Sequence, residues 1–274
     1  MDPRIALAGF VVGIVTGLSG IGGSSLLAPV LILLLGVKPT LAVGTDLVYS
    51  VPTKLLAAFV HARQNTVDRR LTMLLAAGGV PGSLAGLAAF ALLRARIPAA
   101  TLQHVVRQAI GIAILCACIA MIVTYVLRLR DTTSAGATAG KSAVDAESRG
   151  KGDSRANGEP RWKPVAIGFV VGVLVAITSI GSGSVTLPLL LLTLPSFTLR
   201  RLIGSEIAFA AIIVPIAALG HTGFGDVDWR ITGSLLAGSL PGVYLGSRLC
   251  TKIDDRPLRA VILLILAYAA YRLL

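Results

Sequence analysis

Gly9-Phe-Val-Val-Gly13 returns, letter for letter, as Gly168-Phe-Val-Val-Gly172. Outward from there, without a gap, Ile21-Gly22, Ser25 and Pro29 fall on Ile180-Gly181, Ser184 and Pro188. After one inserted residue the register resumes. Gly44-Thr45-Asp46 lies on Gly204-Ser205-Glu206, His61 on His221, Val67-Asp68 on Val227-Asp228, and Pro81-Gly82 on Pro241-Gly242. A match held in register from Gly9 to Gly86 is a duplication. In a strongly apolar chain, two copies of one unit point to a membrane transporter built from two repeats around a central site.

The composition agrees. Of 274 residues 55% are apolar and 14% charged, where roughly a quarter is charged in a soluble domain. Five apolar stretches precede a polar linker and five follow it. Three in each half (in the first, Leu41–Ala62, Arg70–Leu93 and Val105–Leu127) are long enough for a hydrocarbon layer of about 30 Å. The opening stretch does not read as a secretory signal, because its charged start is weak and its sequence recurs in mid-chain. A net charge of +12 fits Lys and Arg gathered in cytoplasmic loops and gives no reason to expect nucleic acid. Cys116, Cys118 and Cys250 form no disulfide framework and stand at no metal-ligand spacing, so no metal and no cofactor is expected. They read as small buried hydrophobes.

Three regions follow: a first transmembrane repeat over 1–130, a linker over 131–163 and a second repeat over 164–274. The linker is rich in Gly, Ala, Ser, Thr and charge, which predicts disorder. If every apolar stretch crosses, Lys and Arg divide six on the side of the N-terminus and seventeen on the side of the linker. The linker side is then cytoplasmic and both termini lie outside. Five stretches per half is an odd number, so the second repeat enters from the opposite face and the repeats are inverted.

The first two stretches of each half are too short to cross. Ile5 to Ser19 reaches ~22 Å and Leu26 to Gly36 ~16 Å at 1.5 Å per residue. Between them lies Gly20-Ile-Gly-Gly-Ser-Ser25, with Pro29 beyond; the other half has Ser179-Ile-Gly-Ser-Gly-Ser184, then Pro188. These read as broken, re-entrant helix pairs meeting near mid-membrane. The expected fold is an all-α membrane protein of two inverted-topology repeats, each a broken helix pair plus three spanning helices.

These residues carry a resemblance. The Gly-rich break followed by Pro29, then Ala42-Val-Gly-Thr45, His61 with Val67-Asp68, and Pro81-Gly82 through Gly86, resembles the sulfite exporter TauE/SafE family of bacterial membrane transporters. The match covers both halves. Asp46 and Glu206 stand where a small hydroxyl residue often follows the Gly-Thr pair, and Ser182 interrupts what is usually a run of glycines. The resemblance implies a multi-pass protein of the bacterial cytoplasmic membrane that moves sulfur-containing anions such as sulfite, thiosulfate or a sulfonate.

The breaks are the leading binding candidates. A helix that begins inside the membrane presents unpaired N–H groups and the positive end of its dipole. Gly22, Gly23, Gly181 and Gly183 let backbone approach an anion, and Ser24, Ser25, Ser182 and Ser184 offer hydroxyls; the alternative is tight packing through small residues. Thr45 and Ser205 add paired hydroxyls. Asp46 and Glu206 are costly in hydrocarbon and are proton-coupling candidates, unless they cap or lie at an interface. Asp46, Ser50, Lys54 and His61 keep within about 80° of one another around their helix. Lys54, which faces Val214 in the duplication, either holds a counter-charge for the anion or snorkels. His61 and His221 relay protons or simply favour a helix C-terminus. Asp68 and Asp228 read as N-caps.

The function expected is a secondary carrier for a small anion, with a passive anion channel as the alternative. The partners expected are that anion and the lipid bilayer. No P-loop and no catalytic cluster is present, so an enzyme is not expected.

Overall fold

In hydrocarbon every backbone N–H and C=O must find a partner within the chain, which turns apolar stretches into helices. The computed structural model describes residues 3–19, 24–135, 160–194, 197–250 and 255–274. All its regular structure there is helical. In chain order the helices are α1 (Pro3–Ser19), α2 (Ser24–Leu33), α3 (Pro39–Arg63), α4 (Arg69–Arg96) and α5 (Ala99–Ala135). After them come α6 (Trp162–Thr178), α7 (Thr186–Thr193), α8 (Leu199–Gly223), α9 (Trp229–Cys250) and α10 (Asp255–Leu273).

Local chemistry sets the boundaries. Pro39 stands in the first turn of α3, where a missing N–H is no loss. Asp68 caps α4, its Oδ1 accepting the Leu71 N–H at 2.9 Å. Asp228 caps α9 in the same way, accepting from Ile231 at 3.0 Å and Arg230 at 2.9 Å. Both N-caps are those expected from the duplication. Even the turns before them repeat: Asn65 has φ 53° and Gly225 φ 74°.

The short pairs are short, as expected. Helices α1 and α6 have 17 residues each, α2 has 10 and α7 has 8, so α7 is only ~12 Å long. Among the described residues four helical segments are long and apolar enough to cross a membrane: Pro39–Arg63, Arg69–Arg96, Ala99–Thr124 and Leu199–Gly223. Helices α9 and α10 (22 and 19 residues) occupy the places of the remaining two expected spans and adjoin residues outside the described set. Helix α5 continues to Ala135 and α6 starts at Trp162, so both ends of the expected linker are helical. Residues 136–159 lie outside the described residues.

The exterior is apolar, with Leu7, Leu56, Met73, Leu84 and Leu219 all more than half exposed. The interior holds polar residues: Thr45, Asp46, Ser83, Ser205 and His221 are fully buried. That distribution suits a molecule whose solvent is lipid. Cys118 is buried, but Cys116 faces outward among the apolar side chains.

The halves are interleaved. The main packing partner of α1 is α9, and that of α6 is α4; α3 packs on α8 and α5 on α10. Each contact maps onto itself or its mate when the halves are exchanged. Glycines make the closest of them. A Cβ on Gly13 would lie 2.6 Å from the Ser239 carbonyl oxygen, while one on Gly172 would collide with the carbonyl of Gly79, the residue equivalent to Ser239. Gly238 meets the Ala6 carbonyl and Gly78 the equivalent Val165 carbonyl; Gly242 meets Phe10 and Gly82 meets Phe169. Gly44, near the start of α3, lies against Asp226 just past the end of α8. Gly204, near the start of α8, lies against Thr66 just past the end of α3. So α3 and α8 meet head to tail.

Gly82→Leu forces a side chain into the Phe169 backbone and should destabilise by at least the ~1–3 kcal/mol of an overpacked core. Gly242→Leu, its equivalent against Phe10, should do the same. Thermal unfolding of the detergent-solubilised protein reads both; an unchanged midpoint for either would mean that α4 and α6, or α1 and α9, do not pack at glycine distance.

Candidate functional site

Between α6 and α7 the chain runs uncoiled from Ser179 to Val185. Ser179 ends α6 in the left-handed region at φ 63°, and Gly181 and Gly183 follow at φ 128° and 114°. Only glycine takes the latter two values without strain, which explains their place in the break. The segment is wholly buried: Ser179, Ser182 and Ser184 are each about 2% exposed or less. Its ends are tied locally. Thr178 Oγ1 accepts the Ile180 N–H at 3.2 Å, and Thr186 Oγ1 donates to the Gly181 carbonyl at 2.7 Å.

The donors of its middle are not tied. The hydroxyls of Ser182 and Ser184 are buried and have no hydrogen-bond partner among the described residues. Nor does any carbonyl among those residues pair with the N–H groups of Gly181, Ser182, Gly183 or Ser184. Buried polar groups left open in this way are rare and point to a ligand. Here they form an array of hydroxyl and amide donors at the start of α7, where the helix dipole favours an anion.

Helix α3 supplies the charges. Asp46, Ser50 and Lys54 are spaced four residues apart, so they share one face, and all three are buried. Asp46 receives Ser179 Oγ–H at 2.5 Å on one oxygen and Ser50 Oγ–H at 3.5 Å on the other. Lys54 Nζ donates to the Ser182 carbonyl at 3.3 Å. Glu206 on α8 is 4% exposed, and one of its oxygens lacks a partner among the described residues. The Lys54 ammonium acts electrostatically on both carboxylates. A buried carboxylate needs such compensation, since several kcal/mol of hydration is lost per ion.

Hydrogen bonds thus join Asp46, Ser50 and Lys54 of α3 to Ser179 and Ser182 of the break. Ser184 follows two residues along the same segment, with Gly181 and Gly183 beside them, and Glu206 is within reach of the Lys54 charge. Other expected site residues are engaged elsewhere. Ser205 Oγ accepts the Asp68 N–H at 2.9 Å, and Thr45 Oγ1 accepts the Asp228 N–H at 3.1 Å. These equivalent bonds strut each half against the other's cap. His61, half-buried, bonds Thr66 Oγ1 at 2.9 Å. His221 is fully buried, with Nε2 2.8 Å from the Ala176 carbonyl and Nδ1 3.8 Å from Asp226 Oδ2. Neither imidazole bonds the charged cluster. Gly22 and Gly23 lie outside the described residues, and so do the side chains of Ser24 and Ser25.

Three participants were not singled out from the sequence. Ser179 is in sequence only the edge of the break, although its place before two alternating glycines marks a turn. Asp226, paired with Arg94 at 2.7 Å, is equivalent to Thr66 and so is hidden by the duplication. Arg94 carries no signal in the sequence beyond a basic residue at a helix end.

A family model described as Sulfite exporter TauE/SafE matches residues 5–273. The chain belongs to the sulfite exporter TauE/SafE family. It is 33% identical over 279 residues to the probable membrane transporter protein YjnA of Bacillus subtilis, with all of both chains covered. Identity is 25% to the probable membrane transporter protein YdhB of the same organism, over 98% of this chain and 99% of the relative. No solved structure gives a significant match. The protein is therefore a membrane transporter of this family, with polar groups gathered inside an apolar exterior.

The spare hydroxyls yield a sharp expectation. Removing a buried group that has no partner costs nothing in the folded protein. Ser182→Ala with Ser184→Ala should leave the unfolding midpoint of the purified protein unchanged or raised. A fall of several degrees in the variant would show that the hydroxyls hold the fold.

Proposed function

We propose that this chain is a secondary carrier that moves a small anion across the cytoplasmic membrane together with a proton. The anion is a sulfur oxyanion or sulfonate of the sulfite, thiosulfate or sulfoacetate type. The observation that carries the reading is the set of open donors in the Ser179–Val185 break, where two buried hydroxyls face no partner among the described residues. A pyramidal or tetrahedral oxyanion takes several donors at once, which that array offers with the amides of Gly181 and Gly183 and the nearby Lys54. The first-half counterpart is Gly22, Gly23, Ser24 and Ser25.

Charge supports coupling. With Asp46, Glu206 and Lys54 all ionised the cluster carries one net negative charge, which repels an anion in a low-dielectric site. One proton on either carboxylate brings it to neutral, so proton and anion enter as a pair. The two imidazoles, engaged at helix ends, are left to position the structure.

We further propose that the halves are inverted repeats working by alternating access. The head-to-tail meeting of equivalent helices α3 and α8 supports this, as does the like-with-like pairing of their turns. Arg94 lies beside Asp226, and Arg201 lies 3.8 Å from Asp68, each pair on one expected side of the membrane. Both termini then face outward. In a background with Cys116, Cys118 and Cys250 changed to Ala, a membrane-impermeant maleimide added to intact cells should label Lys38→Cys and spare Thr198→Cys, its equivalent before α8. Labelling of both from outside would end the inverted arrangement.

The deciding assay is flux of labelled sulfite into proteoliposomes under an imposed pH gradient, with thiosulfate, sulfoacetate and sulfate as competitors. Saturable, gradient-driven flux that is lost in Ser25→Leu with Ser184→Leu is expected. Non-saturating flux far above ~10³ per second would indicate a channel, and none for any competitor from folded protein would remove the sulfur-anion assignment.

A further inference from the structure

We infer that the Lys54 ammonium is the resident cation of the site and stands where a coupling sodium ion would bind, so that the carrier is indifferent to sodium. The inference rests on the carrier reading above and deepens it by naming the coupling ion.

Carriers built on broken helices use unwound carbonyls and nearby carboxylates to hold a small cation. This break and the helix beside it offer such a set: the Ser182 carbonyl and the Asp46 carboxylate, with the Ser50 and Ser179 hydroxyls on it. The group on that carbonyl is Lys54 Nζ, at 3.3 Å, on a side chain only 7% exposed. It reaches across from the other half of the molecule, since Lys54 belongs to α3 and Ser182 to the second repeat. Its charge acts on Asp46 and Glu206 alike.

A snorkelling lysine would direct its ammonium to the membrane surface. Lys54 instead ends on a buried carbonyl. The duplicated fold gives no cause for it either: its equivalent is Val214, and the equivalent of Ser50 is Ala210. The position is occupied once, by a covalently tethered cation that never leaves. A second fixed-site cation beside it would meet like-charge repulsion in a low-dielectric interior. Protons on the carboxylates escape that repulsion, because they neutralise charge already present.

The test compares sulfite flux in proteoliposomes under one pH gradient, with sodium, potassium or N-methylglucamine as the only bulk cation. Native protein should give rates within about twofold of one another in all three. Lys54→Ala should fall at least tenfold in N-methylglucamine and recover in part with sodium or ethylammonium, either of which can enter the space. Lys54→Arg, which keeps the tethered charge, should remain indifferent to sodium at whatever rate it retains. A tenfold or greater stimulation of native flux by sodium overturns the inference while leaving the carrier reading in place. So does Lys54→Ala transporting at the native rate without sodium. Should Lys54→Ala fail to fold, judged by size exclusion and thermal unfolding, the native and Lys54→Arg comparisons decide alone. Absence of flux from folded native protein in every medium would instead remove the carrier reading.

Discussion

Backbone-to-backbone contact at glycine holds this molecule together. Lipid tails are as apolar as leucine, so helices in a bilayer gain little by burying apolar surface against one another; what is left is close packing and hydrogen bonding. The Gly-x-x-x-Gly pairs on α1, α4, α6 and α9 create that closeness, α1 with α9 and α4 with α6. Because each contact joins a first helix to the other half's fourth, neither half buries its own glycines. The repeats must assemble together, and the interior between them exists only in the assembled form.

That interior is where charge becomes affordable. Asp46 and Glu206 lie at the eighth positions of α3 and α8, wholly surrounded by protein. Alone in hydrocarbon each would be prohibitive. They are tolerated because the break supplies Ser179, α3 supplies Ser50, and the Lys54 charge acts on both. An uncoiled segment is tolerated for the matching reason: it is buried within protein, against α3 and α6. The Gly44–Asp226 and Gly204–Thr66 contacts bring the ends of α3 and α8 close enough for the Thr45 and Ser205 struts to form. Site and scaffold therefore share their constraints.

Much of this was legible in the residues. Register alone exposed the duplication, and the spacing of Pro and Gly exposed the short helices and the Ser179–Val185 break. Asp68 and Asp228 announced their helices because a cap needs one residue at one place. What escaped was the pairing of hydroxyls. Thr45, Ser205, Ser182 and Ser184 look alike in sequence, yet the first two are consumed as struts and the last two are left open. Nothing local distinguishes them, since the deciding partner is an N–H some 140 to 180 positions away. The Arg94–Asp226 pair was invisible for the same reason, with the further obstacle that Thr66 occupies the equivalent place. Only three of the four residues on the Asp46 stripe turn inward, because His61 comes after the helix has left the interior.

In the proposed cycle the departures from duplication carry the chemistry. A duplicated scaffold places equivalent groups on both sides of the interior, which suits a mechanism whose two faces exchange roles. Had every residue been copied, α8 would bring a second lysine and a second serine where Val214 and Ala210 stand, and two ammonium groups would face two carboxylates. Such a cluster is already neutral and has no use for a proton when an anion arrives. With one lysine the cluster is one positive charge short, and that shortfall is what ties anion binding to protonation in the proposed cycle. On this view the glycines, the caps and the struts had to be kept in both copies, because both halves need them to pack. Lys54 had to be lost from one, or gained by one, for the site to couple.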